Sequence, residues 1–359
     1  MPGFITGGRL AQRLVLNRWF LSQLGAESFE ELKNLLRLVP EGAGDDSQSH
    51  FFDRLVLQDR LKLDRDQLAV YDRRVLGYEH RLARHRRDFR FRYFQYLAVL
   101  AAEVYLDRLT QNPTGLLNEL NEFLSGLQRE DSTLEATTRF EADDLRRMAF
   151  FMATGSGKTL LLHVNIWQVL HYLEHGRYPE ALVRRMDGRR AFNNILLVTP
   201  GEGLSDQHLK ELKASGLNAG LLVENRSNSG GLFGPMVKVI EIHKLAEEPS
   251  KDGVSIVLEE LQSDNLVIVD EGHKGTASEE KKWKDKQQRL CRDGFLLEYS
   301  ATFSQAIGSA SPKRQEELLS EYGKAILFDY GPAKAHRDPL PDACAFHMIP
   351  VAPATRQGR

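Results

Sequence analysis

Met152-Ala153-Thr154-Gly155-Ser156-Gly157-Lys158-Thr159 is the stretch from which the rest of the chain is read. Before it, Met148 to Phe151 form a short apolar run that reads as a buried strand. After it, Leu160 to Leu170 is long and apolar enough for a buried helix. Strand, glycine turn and helix are the setting a phosphate-binding loop requires. The glycines let consecutive backbone N–H groups turn inward on an anion, and the helix presents its positive end to the same place. In that reading Thr154, Gly155, Ser156 and Gly157 form the cradle and Lys158 reaches the β- and γ-phosphates. Thr159 puts its hydroxyl on Mg²⁺. The strict pattern wants glycine at its first position, where this chain has Met152. The competing reading is a glycine turn that binds nothing.

A second motif bears on hydrolysis: Asn265-Leu266-Val267-Ile268-Val269-Asp270-Glu271-Gly272-His273. Leu266 to Val269 suit a fully buried strand, and two carboxylates follow at its carboxyl end, where ligands bind in an open α/β sheet. Asp270 there can hold Mg²⁺ through water, and Glu271 can orient and deprotonate the attacking water. Alternatively, the pair merely caps the following segment. Glu298-Tyr299-Ser300-Ala301-Thr302-Phe303 also follows an apolar strand. Ser300 and Thr302 could hydrogen-bond to the carboxylate loop and report the nucleotide state. In Thr199-Pro200-Gly201-Glu202-Gly203-Leu204-Ser205-Asp206-Gln207, the N–H groups of a turn and new helix could grip a nucleic-acid phosphate.

In chain order, the phosphate loop, P-x3-L-x2-Q segment, Asp-Glu-x-His box and Ser-Ala-Thr resemble the first RecA-like domain of superfamily 2 helicases. The closer likeness is to DEAD/DEAH-box proteins related to the helicase subunit of type III restriction enzymes. Met-Ala-Thr-Gly-x-Gly-Lys-Thr is the usual loop in that group, which accounts for Met152. The likeness covers roughly residues 90 to 330. It implies ATP and Mg²⁺ as ligands, with Gly155, Gly157, Lys158 and Thr159 on the nucleotide. It also implies that Asp270 and Glu271 serve Mg²⁺ and hydrolysis, while His273, Ser300 and Thr302 couple ATP to movement. Thr199, Pro200 and Gln207 then lie near the nucleic-acid path. DNA is the implied partner, with a modification methyltransferase or another defence-system subunit beside it.

Composition sets the frame. The chain of 359 residues is 42% hydrophobic, enough for a sizeable core, and its formal charge of −2 excludes a global basic field. Cys291 and Cys344 are too few for a disulfide framework or a cysteine-rich zinc site, which fits a cytoplasmic location. Arg9, Arg13 and Arg18 interrupt the apolar runs near the start, so no signal peptide or membrane span is expected.

Residues 1–135 carry almost no strand signal and read as a helical region, centred on the all-round apolar run Phe94 to Leu106. Leu57, Leu61, Leu68, Val75 and Leu82 predict one or two amphipathic helices before it, and Asn112-Pro113-Thr114-Gly115 ends the central one. Arg81, Arg84, His85, Arg86, Arg87, Arg90 and Arg92, interleaved with Phe89, Phe91 and Tyr93, offer two readings. They could track a phosphate backbone with aromatics to stack, or form a solvated face paired with acids.

From 136 to 330, strand candidates at Met148–Met152, Ile195–Thr199, Val237–Ile242, Leu266–Val269 and Leu296–Ser300 alternate with helical stretches. That predicts an α/β, three-layer, RecA-like domain with a mostly parallel sheet. Residues 331–359 read as an irregular, proline-rich tail. No second RecA-like domain or nuclease pattern follows Thr302, so the expectation is a truncated member with a non-native end, as a frameshift produces. Three functions follow: a helicase or translocase ATPase, weak on its own; a P-loop switch without nucleic-acid contact; or a nucleotide-binding remnant without turnover.

Overall fold

The computed structural model describes residues 7–44, 47–185, 187–222, 236–247, 256–271 and 277–338. Helices lead: α1 (Gly7–Arg13), α2 (Val15–Gln23), α3 (Phe29–Leu36), α4 (His50–Leu55), α5 (Arg65–Ala83), α6 (Tyr93–Gln111) and α7 (Pro113–Glu130). Strands and helices then alternate: β1 (Arg147–Met152), α8 (Lys158–His175), β2 (Ile195–Thr199), α9 (Glu202–Ala214), β3 (Ala219–Leu221) and β4 (Val237–Glu241). After them come β5 (Leu245–Ala246), β6 (Ile256–Val257), β7 (Leu266–Asp270), α10 (Ala277–Cys291) and β8 (Phe295–Ser300). The described chain closes with α11 (Phe303–Ser309), α12 (Pro312–Ala325), β9 (Ile326–Tyr330) and α13 (Pro332–His336).

The main sheet has the order β3-β4-β2-β7-β8-β1-β9, and every pairing in it is parallel. Its central strands are buried along their whole length, as a parallel sheet covered on both faces requires. Alternate residues serve opposite layers. Leu197, Ile268 and Leu297 join the core shared with α6 and α8, while Leu196, Val267 and Leu296 face the cluster that contains Trp283 and Leu290 of α10. The period of two in a strand thus makes three layers from one run of apolar residues.

All the strands run the same way, so their carboxyl ends lie along one edge. The ladder aligns Asp270 with Tyr299 and Phe151 with Ser300. The phosphate loop, Ser300, Asp270 and Thr199 therefore stand side by side in the strand order β1, β8, β7, β2, although they are far apart in sequence. A crevice at that edge is where this fold binds ligands.

Helix α6 is buried from Tyr93 to Leu106 without a break, as an all-round apolar helix must be. It ends at Asn112, whose side chain caps α7 by accepting the Gly115 N–H at 2.9 Å, with Pro113 in the first turn. The leading helices pack directly on the sheet. Phe94 stacks on Tyr330 of β9 with ring centroids 4.1 Å apart, and Asn17 Nδ2 of α2 donates to the Leu327 carbonyl at 3.0 Å. One hydrophobic core runs from Val15 to Tyr330.

All five strand candidates are strands. In the main sheet β3 and β9 are additional, and their sequences, Ala-Gly-Leu and an apolar run directly continuing α12, carry little boundary signal; β5 and β6, two residues each, are also additional and pair with each other apart from it. Leu57 does not belong to an apolar helical face: it is 70% exposed, in the turn between α4 and α5. Within the tail, residues 332–336 form α13, and the Asp338 carboxylate accepts hydrogen bonds from Tyr93 and from Tyr330. The rest of the tail lies outside the described residues.

In the basic stretch 81–92 several side chains have internal partners, while Arg84, His85 and Arg87 are exposed. Arg81 lies over the Trp167 ring at 4.0 Å, Arg86 pairs with Glu211, Arg90 with Glu79, and Arg92 with Glu41. Phe89, Phe91 and Tyr93 are buried, so no aromatic there is free to stack on a base.

Candidate active site

The loop between β1 and α8 takes its shape from its glycines. Gly155 has φ +80° and Gly157 φ +88°, the left-handed region that side chains disfavour. A Cβ on Gly157 would also lie 2.3 Å from Gln95 Nε2. Ser156 is buried, and its hydroxyl donates to the Ala153 carbonyl at 2.7 Å, bracing the loop from inside. Thr154 and Gly155 are exposed at its tip. Gly157 is the N-cap of α8, which places Lys158 and Thr159 in a first turn whose N–H groups have no helical partner.

Lys158 faces the carboxylates. Its ammonium is hydrogen-bonded to Glu271 Oε1 and lies 3.0 Å from Asp270 Oδ1. That second contact is an ion pair without hydrogen-bond alignment, since Oδ1 is buried with no hydrogen-bond partner. The other oxygen, Oδ2, meets His208 Nε2 at 2.9 Å. Burial opposes ionisation of Asp270, but the His208 hydrogen bond and the Lys158 charge outweigh it and hold the carboxyl below its ordinary range.

Glu271 has φ +56°, a left-handed backbone at a non-glycine residue, while its N–H still extends the β7–β8 ladder by donating to the Tyr299 carbonyl at 2.9 Å. Such strain persists only where the surroundings over-determine it. Here Ser300 Oγ donates to Oε2 at 3.1 Å, and the Ala301 N–H donates to Oε1 at 3.2 Å, alongside Lys158. Thr302 Oγ1 lies 3.1 Å from Ser300 Oγ, so the Ser-Ala-Thr segment grips Glu271 as a unit.

The predicted residues thus divide. Thr154 to Thr159, Asp270, Glu271, Ser300 and Thr302 come together at one edge of the sheet. Thr199 lies beside them, but its hydroxyl is turned inward to Ser205 Oγ at 2.6 Å. Pro200 is half-buried, and Gln207 is exposed on α9. His273 lies outside the described residues.

Three further side chains belong to the site. Gln95 Nε2 donates to the Ser156 carbonyl at 2.9 Å while its Oε1 accepts from the Arg92 N–H, tying α6 to the loop. His208 holds Asp270. Asn165 Oδ1 of α8 accepts from the Tyr299 hydroxyl at 2.6 Å, and a chain of amides continues from Asn165 through Gln168 to Glu103 of α6. Gln95 and Asn165 are polar residues in apolar runs, which is the only mark they leave in the sequence, and His208 stands in the polar stretch 205–210 with no mark at all.

The donor set fits a phosphate chain and a divalent cation. The left-handed glycines open a cradle, a lysine stands over it, and Asp270 Oδ1 is a buried acceptor without a hydrogen bond. Such a loop, placed on the carboxyl edge of an all-parallel three-layer sheet, defines a P-loop protein with a RecA-like α/β domain. The chain belongs to the type III restriction enzyme res subunit family, whose family model matches residues 117–305. It carries that family's helicase-like module. No curated protein matches the chain. Among the described residues, no helix is long and apolar enough to cross a membrane.

Proposed function

We propose that this chain binds and hydrolyses ATP as the motor module of a DNA helicase or translocase. The observation that carries the reading is Lys158, at the head of α8, facing Asp270 and Glu271 across the carboxyl edge of the sheet. ATP entering the loop draws the Lys158 ammonium from the carboxylates to the β- and γ-phosphates. The N–H groups of Gly155 through Thr159 close on the same oxygens. Thr159 and Asp270 are the residues for Mg²⁺, which when bound neutralises charge on the phosphates. Freed of Lys158, Glu271 keeps its hold on Ser300 and Ala301 and takes a proton from the attacking water. The rigid grip on Glu271 supplies orientation, and general-base action of this kind is worth roughly 10²–10⁴-fold in rate.

A P-loop switch within a protein complex is a second reading. The pairing of Arg86, Arg90 and Arg92 with acids favours it, because it leaves that basic stretch less positive charge to offer a phosphate backbone. Mg·ATP turnover with and without duplex DNA, together with DNA binding over a salt series, separates the two. Helicase-type contact predicts DNA-stimulated turnover and binding that weakens steeply with salt. Turnover indifferent to DNA, with no DNA binding at low salt, favours the switch. Binding of ATP without turnover under any condition overturns hydrolysis.

A further inference from the structure

His208 follows Gln207 on α9 and points away from solvent: it is 1% exposed. Among the described residues Asp270 has two side-chain partners, Lys158 at Oδ1 and His208 at Oδ2. Lys158 must change partner when a phosphate enters, whereas His208 need not. His208 is then the contact that keeps the carboxylate oriented. Its other ring nitrogen, Nδ1, is buried with no hydrogen-bond partner. A buried ring nitrogen left unpaired costs stability and calls for an explanation. Holding the opposite nitrogen on Asp270 provides one.

Helix α9 is also fastened at both ends. Near its start Ser205 Oγ meets Thr199 Oγ1 at 2.6 Å, at the carboxyl end of β2. Just past its end Ser215 Oγ meets His163 Nδ1 of α8 at 2.8 Å and accepts from Arg86 at 3.3 Å. Between these ties the 2.9 Å bond from His208 to Asp270 is a stiff link, since a hydrogen bond weakens over a few tenths of an ångström. The Thr199–Gln207 segment and the Asp270 carboxylate are therefore joined through one helix.

We infer that His208 is a positioning residue: it orients Asp270 toward the cation and transmits the state of the Thr199–Gln207 segment to the nucleotide site. The inference rests on the Mg·ATP reading above. It assigns His208 no part in proton transfer.

The test titrates the purified chain with a hydrolysis-resistant fluorescent ATP analogue, in EDTA and over a range of Mg²⁺ concentrations. In H208L, which keeps bulk and removes the donor, the Mg²⁺ needed for half-maximal tightening rises about tenfold, the usual scale for losing a group that orients a metal ligand. Affinity in EDTA stays at the wild-type value. H208Q, whose amide N–H can stand where Nε2 stood, restores the wild-type Mg²⁺ dependence, which a purely packing role does not predict. Wild-type Mg²⁺ dependence in H208L, or equal impairment of H208L and H208Q, overturns the assignment. If H208L does not fold, H208N replaces it, its shorter amide falling short of Oδ2. Wild-type binding that is absent or indifferent to Mg²⁺ refutes the Mg·ATP reading itself, and is distinguishable because it appears before any substitution. The link to α9 is read from fluorescence anisotropy of a labelled DNA duplex with and without the analogue. The factor by which each ligand alters the other's affinity collapses toward one in H208L. Retention of that factor, or no such factor in the wild type, overturns the link.

Discussion

Lys158 and Glu271 sit in contact, yet their removal has opposite signatures. K158A deletes the charge aimed at the β- and γ-phosphates and leaves Asp270 and Glu271, both largely buried, without the cation between them. Nucleotide binding is expected to be lost, and leaving buried charge unpaired costs about 3 kcal/mol of stability. E271Q keeps the shape of the side chain: its amide oxygen can still accept from the Ala301 N–H, and its amide N–H can donate to Ser300 Oγ once that hydroxyl turns. It removes only the base, so binding survives and turnover falls by roughly 10²–10⁴-fold. Fluorescent-nucleotide titration, chemical denaturation and single-turnover hydrolysis on both variants check this. Equal loss of binding in the two makes Glu271 structural.

One element ties the sheet to the helices on its far side. The Arg147 guanidinium at the head of β1 is hydrogen-bonded to Glu298 of β8 and to Glu321 of α12 at 2.7 Å, while Lys284 of α10 reaches Glu321 at 2.9 Å. Burial pushes the Glu321 carboxyl up, but Arg147 and Lys284 overcome that and hold it at about 2, against an ordinary 4.5. A carboxyl depressed in the folded state adds stability that is fully present above its unfolded value and is lost as pH falls through its folded value. The window here is pH 4.5 down to about 2. E321Q is expected to be less stable than the wild type near neutrality and to lose less stability across that window. Denaturation midpoints at successive pH values report it; parallel slopes in the two proteins contradict it.

The helices of residues 7–130 and the sheet share a core instead of meeting at a polar interface, so the two are expected to unfold together. Leu327, Phe328 and Tyr330 of β9 and Leu162 and Val164 of α8 are buried in the same cluster as Trp19, Phe94 and Leu97. A chain starting at residue 136 would expose that surface, far more than a soluble domain tolerates. It is expected to lack a cooperative thermal transition and to bind a hydrophobic dye, whereas the full chain melts in one step. A soluble fragment with a sharp melt would show that the sheet folds without its helices.

The glycine loop, the paired carboxylates and the alternation of strands with helices were legible because each is local. Gly155 and Gly157 announce a left-handed turn, Leu266 to Asp270 announces a buried strand ending in charge, and α6 announces its burial by having no polar face. Neighbours across the sheet are not local. Strand order decides that Ser300 stands between the loop and Asp270, and that Thr199 stands beyond it; no residue pattern encodes that order. The same holds for Gln95 under the loop, His208 on Asp270 and Asn165 on Tyr299, each a residue whose partner lies at least 61 positions away in the chain and on another element. Sequence determined the chemistry at the edge of the sheet, since loop shape and buried charge follow from residue type. Tertiary structure decided what holds that chemistry in place, since a hydrogen bond's partner depends on which elements pack together.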